Sequence, residues 1–141
     1  MATIETRLLL LIDDEPAQGR LVSALAAREG FRAVVVGTAE EALARLDSEE
    51  GKQVSVILLD QWVPGDDACG LIRQLKAMRP DVPVLMLTAS TSPLLAVEAM
   101  RAGATDYLIK PVAPERLQQA LRSAEKRADV AGWTRAQSYC N

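Results

Sequence analysis

The stretch LLLLIDDE, Leu8 to Glu15, decides how the rest of the chain is read. Five apolar residues run without a break into three carboxylates. An apolar run so short, closed by polar residues, reads as a buried strand. Acids stacked at the tip of such a strand repel one another. Two carboxylates ~4 Å apart cost ~1 kcal/mol at the dielectric of water and ~4 kcal/mol at an effective dielectric of ~20. Something in the fold must make that arrangement worth keeping.

The same grammar repeats downstream. Pro16 fits the first turn of a helix. Leu21, Ala24, Leu25 and Arg28 keep helical spacing, and Gly30 suits the C-terminal cap. FRAVVV (31–36) is a β-branched run and predicts a strand. Thr38 and Glu41 form a T-x-x-E capping box that opens a helix through Leu46. VSVILL (54–59) predicts a third strand, which also ends in an acid, Asp60. VPGDD (63–67) is loop chemistry, and a helix from about Asp67 to Met78 stops before Pro80. VPVLML (82–87) predicts a fourth strand ending in Thr88. SPLLAVEAMRAG (92–103) predicts a helix with Ser92 as N-cap, then proline, then a closing glycine. TDYLI (105–109) predicts a fifth strand, followed by Lys110 and Pro111. Pro114 opens a last helix with Leu117, Ala120, Leu121 and Ala124 on one face.

Five strand–helix units with strands this apolar predict an α/β fold, a parallel sheet covered by helices on both faces. The crossovers must be right-handed. Composition agrees with one domain: 141 residues, 49% of them apolar and 25% charged, are enough for a real core. A net charge of -3 argues against nucleic-acid binding by bulk electrostatics. No apolar stretch is long enough to span a membrane, and MATIETR at the N-terminus does not read as a signal peptide. Cys69 and Cys140 fit no metal spacing or disulfide framework, so a cytoplasmic protein with reduced thiols is expected. The chain has no histidine, which excludes Ser-His or Cys-His catalysis, an imidazole metal site and a phosphohistidine of its own.

In a parallel α/β sheet the strand C-terminal ends share one edge, and ligands bind outside it. This chain places Asp13, Asp14 and Glu15 there from strand one, Asp60 from strand three, Thr88 from strand four and Lys110 from strand five. A cluster of acids is comfortable with a cation among them. Oxygen ligands without imidazole or thiolate suit Mg²⁺, with Mn²⁺ or Ca²⁺ as substitutes. A metal beside a carboxylate, flanked by a hydroxyl and an ammonium, can stabilise a phosphoryl group. The carboxylate can itself be the nucleophile that accepts it.

The motifs LLLLIDDE, VILLDQWVPGDD, VLMLTAS and GATDYLIKP, in this order and spacing, resemble the CheY-like receiver domain of two-component response regulators. The resemblance runs from roughly Arg7 to Lys126. It implies a flavodoxin-like (βα)5 sandwich, doubly wound, with sheet order 2-1-3-4-5. It implies Asp60 as phosphoacceptor. Asp14 would be a direct Mg²⁺ ligand, Asp13 a ligand through water, and the backbone carbonyl of Trp62 a third protein ligand. Thr88 and Lys110 would hold the phosphoryl group, Thr88 and Tyr107 would switch together, and the Lys110–Pro111 bond would be cis. The implied donor is a histidine kinase or phosphotransfer protein. The implied output face is helix 4, strand 5 and helix 5, which can also pair two copies in a homodimer and control transcription. A phosphotransfer and autodephosphorylation capacity follows, without the turnover of a true enzyme.

The sequence departs from the family at Val63-Pro64, where Met-Pro is common, at Ala68, where glycine is common, and at the bulky Trp62. Trp62 and Ser90 occupy positions that tune phosphoryl lifetime in the family. Residues 1–128 are expected to form the receiver. Residues 129–141 read as a tail or the start of a linker to an output domain. A single-domain or hybrid-kinase receiver that relays phosphate is the alternative. A phosphatase of the haloacid dehalogenase type needs D-x-D on the first strand, which this chain lacks. A nucleotide- or flavin-binding module needs a glycine-rich loop where DDEPAQG stands.

Overall fold

The computed structural model describes residues 7–61 and 67–124. Strands β1 (Arg7–Ile12), β2 (Phe31–Val36), β3 (Val54–Asp60), β4 (Val84–Thr88) and β5 (Asp106–Ile109) form one parallel sheet. Their order is β2-β1-β3-β4-β5, as the resemblance implies. Helices α1 (Pro16–Arg28), α2 (Ala39–Asp47), α3 (Ala68–Met78), α4 (Pro93–Ala102) and α5 (114–124) connect and follow the strands.

The strand pleat divides the apolar runs between two cores. Leu8, Leu10 and Ile12 of β1 face the side covered by α2, α3 and α4, where they meet Leu46, Ile72 and Ala99. Leu9 and Leu11 face α1 and α5, where they meet Val22, Leu25 and Leu121. Each wholly buried leucine contributes about 1.5–3 kcal/mol of transfer free energy. Burial on both faces therefore locks the sheet between its helices.

The local signals act where the sequence places them. The Thr38 hydroxyl accepts the Glu41 N–H at 3.1 Å and opens α2, while the Glu41 carboxylate accepts the Gly37 N–H at 3.4 Å. Asp67 caps α3 by accepting the Gly70 N–H at 2.7 Å. Gly30 closes α1 at φ 85°, a left-handed conformation that favours glycine.

The helical spacing of Leu21, Ala24, Leu25 and Arg28 falls within α1, whose buried stripe is Gly19, Val22, Leu25 and Ala26. Gly19 sits against β2, with room for a Cβ only 3.4 Å from Val35 Cγ1, so the stripe follows the close approach rather than the bulkiest residue. Three expectations need correction. Strand β4 begins at Val84 rather than Val82, because the Val82 N–H closes a turn on the Arg79 carbonyl at 3.1 Å. Strand β5 begins at Asp106 rather than at residue 105: the Thr105 hydroxyl and N–H both bond β4 at Val84. The Ser92 side chain does not cap α4; its N–H instead donates to Ser90 Oγ at 3.1 Å.

A 3-10 turn, Glu50–Gln53, carries the chain from α2 into β3 and was not legible as a separate element. A Cβ on Gly51 would lie 2.1 Å from the Leu46 carbonyl oxygen and 2.5 Å from that of Arg45. Backbone cannot rotate away as a side chain can. Gly51→Ala is therefore expected to destabilise the fold by about 2–3 kcal/mol. The measurement is the urea midpoint, and an unchanged midpoint refutes the packing described here.

Candidate functional site

The site is assembled by backbone bonds at the C-terminal ends of the strands. The Asp13 N–H donates to the Val36 carbonyl at 2.9 Å, Gln61 N–H to Leu87 at 2.9 Å, and Lys110 N–H to Thr88 at 2.7 Å. Residues distant in sequence are thus held on adjoining strand tips. The buried polar or charged residues among those described are Asp13, Asp60 and Thr88. All three stand on this one edge, which a stability-driven sequence would have filled with apolar groups.

Asp13 turns one oxygen back and one forward. Its Oδ1 accepts the Glu15 N–H at 2.9 Å. Its Oδ2 is buried with no hydrogen-bond partner. Lys110 Nζ stands 4.0 Å from that Oδ2, an ion-pair distance, and donates to Asp60 Oδ1 at 3.0 Å. Asp14 stays exposed at the rim. One carboxylate oxygen from each of Asp13, Asp14 and Asp60 lies within 4.8 Å of the others. At that spacing a pair of charges repels by roughly 3.5 kcal/mol at an effective dielectric of 20. One lysine cannot offset three acids. An orphaned buried oxygen in an all-oxygen cluster fits a hard divalent cation.

Burial lifts the Asp13 carboxyl above its ordinary value, the charge on Asp60 lifts it further, and the Glu15 N–H and Lys110 oppose the lift. A carboxyl raised on folding binds its proton more tightly in the native chain than in the unfolded one. Its contribution to stability is full below the unfolded value of 3.8 and is lost as pH rises through the folded value. Without metal, Asp13→Asn is therefore expected to gain stability relative to wild type as pH rises over that window. With Mg²⁺ present the ranking is expected to reverse. Thermal melts of both proteins against pH, in chelator and in Mg²⁺, check this; a difference that stays flat with pH contradicts it.

Thr88 is wholly buried, and its hydroxyl donates to Gln61 Oε1. The Thr88 hydroxyl oxygen in turn accepts the Ser90 N–H at 3.0 Å. The Tyr107 ring packs against the core, and its hydroxyl donates to the Ser90 carbonyl at 2.7 Å. The Lys110–Pro111 bond is cis, as the resemblance implies. Trp62, with its implied ligand carbonyl, and the 129–141 tail lie outside the described residues. Sequence reasoning missed Gln61. Its one signal was adjacency to Asp60, which does not say which way an amide points.

The edge therefore gathers Asp13, Asp14, Asp60, Thr88 and Lys110, and it joins Tyr107 to Thr88 through Ser90. Comparison with known proteins agrees with that geometry. The family model described as "Response regulator receiver domain" matches residues 9–122. The transcriptional regulatory protein ZraR of Salmonella typhimurium is 34% identical over 116 residues, 82% of this chain and 26% of that protein. The sensory transduction protein RegX3 of Mycolicibacterium smegmatis is 34% identical over 119 residues, 84% of this chain and 50% of that protein. The chain thus spans between a quarter and a half of the length of these relatives. The crystal structure of a response regulator receiver domain protein from Clostridium thermocellum superposes with a TM-score of 0.81 at 26% identity, covering 89% of this chain and 98% of that one. Sheet order, strand-edge chemistry and sequence match converge, and the chain belongs to the response regulator receiver domain family.

Proposed function

We propose that Asp60 is the phosphoacceptor of this receiver and that Mg²⁺ is held by Asp13, Asp14 and Asp60, with the Trp62 carbonyl as a further ligand. The observation that carries the reading is Lys110 Nζ, 3.0 Å from Asp60 Oδ1 and 4.0 Å from Asp13 Oδ2, beside an orphaned buried oxygen. An Asp60 oxygen attacks phosphorus as the bond to the donor breaks, and the departing group takes the electron pair. The chain has no histidine, so a phosphohistidine donor lies outside these residues, on a histidine kinase or phosphotransfer protein. Bound Mg²⁺ supplies positive charge against the carboxylates and the incoming phosphoryl oxygens. Lys110 orients a phosphoryl oxygen, and Thr88 donates to another. Attack of water on the same phosphorus returns Asp60 as a carboxylate and releases inorganic phosphate.

The output reading rests on the other end of the hydrogen-bond chain. Thr88, at the end of the strand beside the acceptor's, is linked through Ser90 to Tyr107 of β5. Leu94, Val97 and Met100 of α4 and Ile109 of β5 are exposed apolar residues beside it. A partner or a second copy docking on α4, β5 and α5 would cover them, and control of transcription is the output that a ZraR-like regulator implies. Among the described residues no helix is long and apolar enough to cross a membrane. The receiver reading extends over residues 1–128, with 129–141 as tail or linker.

Intact-mass spectrometry after incubation with acetyl phosphate tests the proposal. The expected result is one phosphoryl group gained only when Mg²⁺ is present, located on Asp60 by fragmentation. No adduct, together with no phosphate released over time, refutes it.

A further inference from the structure

The Thr88 hydroxyl has one proton to give, and in this structure it gives it to Gln61 Oε1. Its oxygen is also engaged, by the Ser90 N–H at 3.0 Å. The hydroxyl's one donor is therefore committed before any phosphoryl group arrives. The backbone of Gln61 is held close to Thr88. Its N–H is pinned to the Leu87 carbonyl at 2.9 Å, one residue before Thr88, and its peptide link ties it directly to Asp60. Thr88 has no exposed surface, so water cannot easily replace the amide as acceptor.

We infer that Gln61 is a latch on the receiver switch: it occupies the Thr88 proton in the resting state and sets how readily Thr88 turns to a phosphoryl oxygen on Asp60. The inference rests on the phosphoacceptor reading of Asp60 and adds a regulatory residue to that site. Turning Thr88 toward the phosphoryl group breaks one neutral hydrogen bond and forms one to a charged acceptor, which is the stronger kind. The exchange is favourable, but the broken bond is subtracted from it. Because Thr88 also accepts from Ser90, whose carbonyl binds the Tyr107 hydroxyl, the latch bears on Tyr107 too. Gln61 is a positioning residue acting through Thr88, and nothing in its chemistry requires contact with the phosphoryl group.

The test is equilibrium binding of beryllofluoride with Mg²⁺, a stable stand-in for the aspartyl phosphoryl group. It is measured on wild type, Gln61→Leu, Thr88→Ala and the double variant. Releasing one neutral hydrogen bond predicts roughly 3- to 10-fold tighter binding for Gln61→Leu. The gain must vanish in the Thr88→Ala background, because there the latch has nothing to hold. Gln61→Asn, one methylene shorter, withdraws the acceptor without adding an apolar group. It is expected to tighten binding in the same direction, and it replaces Gln61→Leu if that variant does not fold. Wild type that binds while neither variant binds tighter overturns the latch alone. An equal gain with and without the Thr88 hydroxyl also overturns it, because Gln61 then acts by packing. Wild type that binds no beryllofluoride overturns the phosphoacceptor reading, and the latch with it.

Discussion

Asp60→Asn is expected to gain no phosphoryl group from acetyl phosphate and Mg²⁺ under conditions in which wild type gains one. The carboxamide has no anionic oxygen to attack phosphorus, so the loss is complete rather than graded. The variant should fold, because an amide of nearly the same shape still accepts from Lys110, which donates at 3.0 Å in the parent. Near-ultraviolet circular dichroism matching wild type establishes that. The result also separates two chemistries that share this kind of sheet. A phosphatase of the haloacid dehalogenase type would carry its nucleophile on the first strand, at Asp13 or Asp14. An adduct that persists in Asp60→Asn and maps to either residue would move the acceptor to β1. The burial pattern argues the other way. Asp13 commits Oδ1 to the Glu15 N–H, and Asp14 is exposed at the rim, whereas Asp60 is buried and faces the lysine.

Most of this site was legible because it is a property of strand ends. An apolar run that stops at an acid fixes where the acid lies once the sheet is known to be parallel. Asp13, Asp60, Thr88 and Lys110 each follow such a run, so their meeting needed only the topology. What was not legible depends on rotation and close approach. Five apolar residues in β1 do not reveal which face each takes; the pleat assigns Leu9 and Leu11 to α1 and α5 and their neighbours to the other layer. In α1, Leu21 and Val22 are adjacent apolar residues, and spacing accommodates either phase. The contact of Gly19 with Val35 selects Val22. Ser90 and Ser92 lie on a turn in which each could serve as the bonding residue, and Ser90 takes the role. Gln61 is the strongest case. A glutamine after a strand reads as an exposed loop residue, and only the proximity of β3 to β4 brings its amide to Thr88.

Lys110→Met is expected to slow phosphoryl uptake from acetyl phosphate about 10²- to 10³-fold, the range that follows loss of one preorganised donor to a transition-state oxygen. Methionine preserves most of the side chain's length and packing, so the change is chiefly one of charge. Lys110 serves two carboxylates at once, Asp60 at 3.0 Å and Asp13 at 4.0 Å. Removing it leaves both facing each other without a shared cation. Because the lysine side chain retains 21% of its exposure, water relieves part of that penalty, and the metal-free variant is expected to lose about 1–3 kcal/mol rather than the full cost of breaking a buried pair. Mg²⁺ should restore much of the stability, since it offsets the same carboxylates. It should not restore the rate, since it leaves the phosphoryl oxygen that Lys110 would bind without its donor. Lys110→Arg keeps the charge but brings a broader, planar group and is expected to recover stability more fully than rate. Stability from urea melts and rate from intact mass, each with and without Mg²⁺, place the three proteins on two separate scales. If Lys110→Met takes up phosphoryl groups within threefold of wild type, Lys110 is only a counter-ion for Asp13 and Asp60, and its role in holding the phosphoryl group is wrong.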